Sequence, residues 1–167
     1  RGVAGYTSGS RLLQTERMVN ALREWLSARG QFREEDVQPG DVVSVDGGIR
    51  WKDEAFDYAV WATGWEAGLH PAMPALQGKP SKGTILDLRL PGFDWDGGII
   101  HYGHWLVRQG DHWRLGSNYA WTWDPDREID PVAAAELPHG LALRWDGEPE
   151  LIGGRAAIRP TLSLIHI

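Results

Sequence analysis

The feature that most narrows the fold is an apolar run that stops on small residues. Asp57-Tyr58-Ala59-Val60-Trp61-Ala62-Thr63-Gly64-Trp65 reads as a buried strand over 56–62 followed by a tight turn. A strand that is apolar on both faces belongs to a sheet covered on both sides. Small residues at its carboxyl end bring bare backbone N–H groups to the sheet edge, where α/β folds bind nucleotides. Any tight turn after a strand favours such residues, so Ala62-Thr63-Gly64 alone is a weak signal. Near the other end, Gly153-Gly154-Arg155-Ala156-Ala157-Ile158-Arg159-Pro160 sets two arginines in a strand of small and apolar residues. A guanidinium in such surroundings calls for an anionic partner, and a ligand carboxylate is the obvious one.

The 167 residues have the length of one ordinary domain, and 42% apolar residues can build its core. A net charge of −6 with no Lys/Arg run argues against a nucleic-acid surface or an anionic-membrane anchor. The sequence has no cysteine, hence no disulfide framework and no thiolate chemistry. That fits a reducing compartment, and the expected location is cytoplasmic. No stretch approaches the length of a transmembrane helix. Ten tryptophans could line a ligand pocket, but sheet faces favour aromatics anyway, and most are expected to pack there.

The ends carry their own expectations. The chain begins at Arg1 rather than Met, and its natural start is expected to lie upstream. Leu162-Ser163-Leu164-Ile165-His166-Ile167 has no turn chemistry of its own and matches the translation of a transposon end used in sequencing libraries. Residues 162–167 are therefore expected to be a library scar and are kept out of the fold reasoning.

Between the ends, Thr15 suits a helix N-cap with Glu16 in the first turn. Met18, Ala21, Leu22, Trp25 and Ala28 recur at helical spacing up to Gly30, which predicts a packed surface helix. Gln31-Phe32-Arg33 reads as a short strand. Asp41–Val45 and Ile49–Trp51 flank Asp46-Gly47-Gly48, a strong hairpin signal. Beyond a Gly/Pro-rich loop over 66–80, Thr84–Leu90 alternates as a strand. Ile99–Val107 and Trp113–Tyr119 read as a pair around Gln109-Gly110-Asp111. Asp130 can cap a short helix with Pro131 at its first position, and Leu151–Arg159 is the last strand. Successive strands with short turns predict an antiparallel sheet. The expected class is α+β, with α/β character in the N-terminal part.

Several familiar chemistries find no support. His101 and His104 would face opposite ways on a strand, and with His112 they lack a completing thiol or carboxylate, so no metal site is expected. Asp124, Asp126 and Glu128 begin like a calcium loop, but Ile129 and Ala135 stand where Gly and Glu are needed. There is no G-x-S-x-G elbow, no Walker loop and no G-x-G-x-x-G.

From Gln14 to Thr161 the order of features resembles the FAD-dependent oxidases of the D-amino acid oxidase superfamily, in their glycine oxidase-like branch. The matching pieces are the helix, Glu35-Asp36-Val37, Ala62-Thr63-Gly64 and Lys82-Gly83-Thr84-Ile85-Leu86, followed by Trp105-Leu106-Val107, Leu115-Gly116-Ser117-Asn118 and Ala157-Ile158-Arg159-Pro160. The resemblance implies that residues 1–80 are the latter half of an FAD-binding Rossmann-like domain. Residues 81–161 would then be a substrate-binding antiparallel sheet region. It also implies roles: Val37 against adenine, Ala62, Thr63 and Gly64 against the nucleotide half of FAD, and Arg159 on the substrate carboxylate. Trp105 and Tyr119 become aromatic walls of the substrate site, in balance with plain sheet packing. No residue is assigned as a catalytic acid or base. Three departures stand out: Trp105 sits where such proteins often carry a tyrosine, Ala-Ile-Arg-Pro replaces Gly-Leu-Arg-Pro, and the expected scar stands where an Asp-x-x-Pro-x-x-Gly stretch normally follows Arg-Pro.

The expected activity is oxidation of a small amine or amino acid by hydride transfer to flavin, a step the cofactor itself carries out. The alternatives are another flavin enzyme, either a monooxygenase or the oxidase half of a tRNA-modifying enzyme, and a Trp-rich non-enzymatic binding module. Arg155 competes with Arg159, because alternation puts both on one face with Ala157. The plain alternative for either arginine is an ion pair with an acid such as Asp87.

Overall fold

A computed structural model describes residues 11–69, 78–121, 126–143 and 145–161. The chain forms two compact units, Arg1–Asp57 and Tyr58–Ile167. Residues 162–167, the expected scar, and Asp124, the first residue of the rejected calcium loop, lie outside the described residues. No helix among the described residues is long and apolar enough to cross a membrane.

In the first unit, α1 spans Thr15–Ser27. The expected cap moves by one residue: Gln14 is the N-cap, and Thr15 already lies inside the helix. Gly30, at φ +65°, ends it as expected, in the left-handed conformation that glycine adopts without strain. The packed helix needs correcting. Met18, Leu22 and Trp25 form the apolar stripe, yet each stays about half exposed (48%, 52% and 50%).

The hairpin forms around Asp46-Gly47. β1 (Val42–Val45) pairs with β2 (Gly48–Trp51), which pairs with β3 (Glu54–Phe56) in an antiparallel meander. Gly47 takes φ +84°, as a two-residue hairpin loop demands. A Cβ on Gly48 would overlap the Phe56 carbonyl oxygen, so the meander closes only with glycine there.

Two expected strands of the N-terminal part are absent. Residues 31–38 are irregular, which removes the Gln31–Arg33 strand and leaves Glu35-Asp36-Val37 outside any strand. That segment is held by side chains instead, with Arg33 forked onto Glu54 at 2.5 and 2.6 Å and Lys52 paired with Glu35. The buried strand over 56–62 is corrected as well. Only Phe56 lies in a strand, residues 58–63 are irregular, and Tyr58 and Val60 are 87% and 90% exposed. Among the described residues no strand pairs with 58–63.

The second unit holds a five-stranded antiparallel sheet in the order β5-β6-β7-β4-β8. Its strands are β4 (Ser81–Arg89), β5 (Ile100–His101), β6 (Trp105–Gln109), β7 (His112–Gly116) and β8 (Glu150–Arg159). The continuous strand expected over 99–107 folds back on itself. Gly103 at φ +95° turns the chain so that Ile100 pairs with Leu106 and His101 with Trp105. β4, flanked by β7 and β8, is buried from Ser81 to Thr84 and at alternate positions beyond.

One face of the sheet carries the core. Leu86, Leu88, Leu106, Trp113 and Leu115 pack under Ala133, Leu137 and Leu141, which come from α2 (Pro131–Glu136) and the 3-10 turn after it. Asp130 caps α2 as expected, its Oδ1 accepting from the Val132 N–H at 2.9 Å. Phe93 meets Trp113 and Trp145 edge to face, with centroids 5.0 and 6.0 Å apart. These two tryptophans therefore serve packing, as expected of most.

Candidate functional site

The candidate site lies on the sheet face opposite the core. Directly paired residues of an antiparallel sheet share a face, so the pairs Ser81–Arg159, Gly83–Ala157 and Ile85–Arg155 stand together there. Ala156 is buried on the other side, and Ala157 is exposed. Alternation along β8 thus runs as expected, with Arg155, Ala157 and Arg159 on one face.

Arg159 is half-buried and held from three sides. Its Nη1 donates to the Asn118 carbonyl oxygen at 3.0 Å, and its Nη2 donates to the Ser117 hydroxyl. The guanidinium carbon lies 4.3 Å from the centroid of the Tyr119 ring, a cation–π contact. The planar group rests on Gly83, where a Cβ would overlap its central carbon and both terminal nitrogens. Among the described residues no carboxylate pairs with it. A guanidinium carries five N–H donors, and the two hydrogen bonds use two of them. The acid put forward as a plain partner, Asp87, accepts two bonds from Arg114 instead, at 2.7 and 3.4 Å. Arg155 is exposed.

The residues that hold Arg159 sit in a bulge. β7 leaves its regular pairing after the Ile85–Gly116 pair, and Ala120 then bridges Lys82. Four steps along this segment face three along β4, so one residue is extra. Such an insertion re-aims the chain beside a sheet edge. Asn118 is fixed by its own side chain, whose Oδ1 accepts from the Thr84 N–H at 2.8 Å. Ala120 and Lys82 exchange both backbone bonds at 2.9 Å.

Below this segment, on the core side, the Lys82 ammonium is bonded to Asp126. Its side chain is 7% exposed, that of Asp126 46%. The Lys82 hydrogen bond, helped by the Glu128 N–H, holds the Asp126 carboxyl below the usual carboxylate range.

The expected site residues fall out as follows. Arg159 and Tyr119 are brought together. Trp105 shares their sheet face, in the register row Trp105–Gly116–Ile85–Arg155. Three strand spacings separate its position from β8, about 14 Å, so it is not in contact with Arg159. Tyr119 is 62% exposed and stacked on Trp121, centroids 6.2 Å apart. Val37, Ala62, Thr63 and Gly64 are all exposed, and Gly64 adopts φ +64° with open space where a Cβ would be. At Gly64 alone of the three, a flat group could meet the backbone with no side chain in the way. Gly83, Ser117 and Asn118 were not singled out as site residues. Their motifs are legible as small-residue segments, but nothing local ties them to a residue forty or more positions away.

No protein-family model matches the sequence, and no curated protein does. Solved structures share the fold. Glycine oxidase from Geobacillus kaustophilus superposes with a TM-score of 0.51 at 20% identity, covering 73% of this chain and 33% of that one. Iminodiacetate oxidase from Chelativorans sp. BNC1 gives 0.51 at 24% identity, covering 71% and 33%. The chain thus spans about a third of the length of these structures.

Proposed function

We propose that this chain is part of an FAD-dependent oxidoreductase that oxidises a small amine or amino acid, with Arg159 taking the substrate carboxylate. The observation that carries the reading is the Arg159 guanidinium itself. It is held flat on Gly83 by Ser117 and Asn118, backed by Tyr119, and has no carboxylate partner among the described residues. Likeness in fold to an oxidase of glycine and one of iminodiacetate supports the same substrate class.

In this reading residues 1–80 contribute to FAD binding and residues 81–161 to substrate binding. Val37 would lie against the adenine, and Ala62, Thr63 and Gly64 against the nucleotide half. FAD, when bound, supplies the acceptor for the hydride leaving the carbon that bears the amine. The work of this chain is placement. Arg159 fixes one end of the substrate by charge-assisted bonds, which limits the orientations its amine-bearing carbon can take. Ser117 and Asn118 keep the guanidinium from swinging into water. Tyr119 and Trp105 are the aromatic limits of the face.

The test compares an amino acid with the amine that lacks its carboxyl group, in the protein that carries this chain. Arg159→Ala should raise KM for the amino acid by a factor worth about 2–4 kcal/mol, leaving the KM of the plain amine nearly unchanged. Equal effects on both substrates would remove Arg159 from carboxylate recognition. The exposed Tyr119–Trp121 stack favours a second reading, a non-enzymatic binding module. Amine-dependent reduction of added FAD would dispose of it.

A further inference from the structure

The strongest unexplained feature of the second unit is a lysine buried in the sheet. An ammonium taken out of water is costly, and a buried ion pair seldom stabilises more than well-packed apolar residues would. A methionine at position 82 would fill the same space at less cost. What the lysine adds is a tie. Its backbone exchanges two hydrogen bonds with Ala120, and its ammonium reaches Asp126, six residues further on. Ala120 directly follows Asn118 and Tyr119, the residues that orient Arg159. Lys82 also directly precedes Gly83, so its side chain leaves β4 on the face opposite the guanidinium.

We propose that Lys82 is a positioning residue for Arg159: through Ala120 and Asp126 it fixes the segment whose Asn118 and Tyr119 hold the guanidinium. This deepens the carboxylate reading given above and rests on it for its purpose, though not for its geometry. The bulge makes such a tie necessary. Past Gly116 the segment leaves the regular ladder, and among the described residues its hydrogen bonds to β4 are those of Asn118 to Thr84 and of Ala120 and Asp126 to Lys82. Losing the ammonium bond frees Asp126 from β4 and leaves the segment to the backbone bridge at Ala120 and the contact of Trp121 with Lys79. The aromatic ring at Tyr119 can then drift from the guanidinium.

The experiment uses the 167-residue chain and the Arg159 Nε–Hε signal in nitrogen-15 NMR, assigned by its disappearance in Arg159→Lys. In the wild type this signal should be displaced by the Tyr119 ring current, and Tyr119→Leu should return it towards the free-arginine position. Lys82→Met should do the same in part while the melting temperature falls little. Acetate affinity, read from the same signal, should drop roughly three- to tenfold, the loss expected when one modest hydrogen bond's worth of placement is removed. A lysine that serves stability alone would give the opposite pattern, a lower melting temperature with an unmoved Arg159 signal, and would overturn the proposal. Should Lys82→Met fail to fold, Asp126→Ala cuts the same tie from its exposed end and is read by the Arg159 signal and the acetate affinity, because the unpaired ammonium lowers the melting temperature in either case. If the wild type binds no acetate, the carboxylate reading fails. The ring-current shift in Lys82→Met still decides whether the tie positions Arg159.

Discussion

Gly83→Ala separates the binding role of the sheet face from its stability. The added Cβ would occupy the place of the Arg159 guanidinium carbon and its terminal nitrogens. The backbone is not the obstacle, because Gly83 lies in a regular strand. The guanidinium is the end of a flexible side chain and can swing away. In doing so it gives up the bonds to Asn118 and Ser117 and the contact with Tyr119. For a half-exposed group each bond is worth about 1 kcal/mol, and the cation–π contact about 0.5–1 kcal/mol. Replacing glycine returns about 0.4–1 kcal/mol through the unfolded chain. The net loss of stability is therefore modest, about 1.5–2.5 kcal/mol. The loss of carboxylate recognition should instead approach that of Arg159→Ala, about 2–4 kcal/mol in KM for an amino acid. Chemical denaturation gives the first quantity and steady-state kinetics the second. A Gly83→Ala variant with wild-type KM would refute the placement of the guanidinium on Gly83.

Other perturbations read other parts of the account. Leu86→Ala removes a side chain with no exposed surface from the centre of the core; it should cost about 2–5 kcal/mol in a denaturant titration. Asp130→Ala removes the α2 cap and should cost about 1 kcal/mol by the same measurement. Asp126 has a lowered folded pKa, chiefly through its bond from Lys82, so its contribution is present above the unfolded carboxylate value and is lost as pH falls through the folded one. In melting curves below the usual carboxylate range, the wild type should therefore lose stability more steeply than Asp126→Asn; equal slopes would show the pair to be uncoupled from folding.

What the sequence made legible was local. Asp46-Gly47 fixes its hairpin through two residues, Asp130-Pro131 starts its helix, and period-two alternation marks β4. The failures have one physical cause, that burial and pairing depend on neighbours. Tyr58–Ala62 has the composition of a covered strand, yet no strand among the described residues pairs with it, and Tyr58 and Val60 stay exposed. Met18, Leu22 and Trp25 have the spacing of a packed stripe and remain half exposed. At the candidate site, Arg159 was legible because a cation on a small-residue strand is conspicuous. Its holders were not, because Ser117 and Asn118 reach it only through the extra residue between Gly116 and Ala120. An insertion of that kind is defined by the register against β4, not by the order of residues along one segment.

The central claim is that Arg159 is a receptor for a carboxylate. It is tested most directly by titrating the nitrogen-15-labelled chain with acetate and following the Arg159 Nε–Hε signal. The account predicts a saturable shift of that signal with acetate and none with acetamide, which has the same shape without the charge. An Arg159 signal that stays fixed throughout the acetate titration, in a chain whose other resonances show it folded, would contradict it.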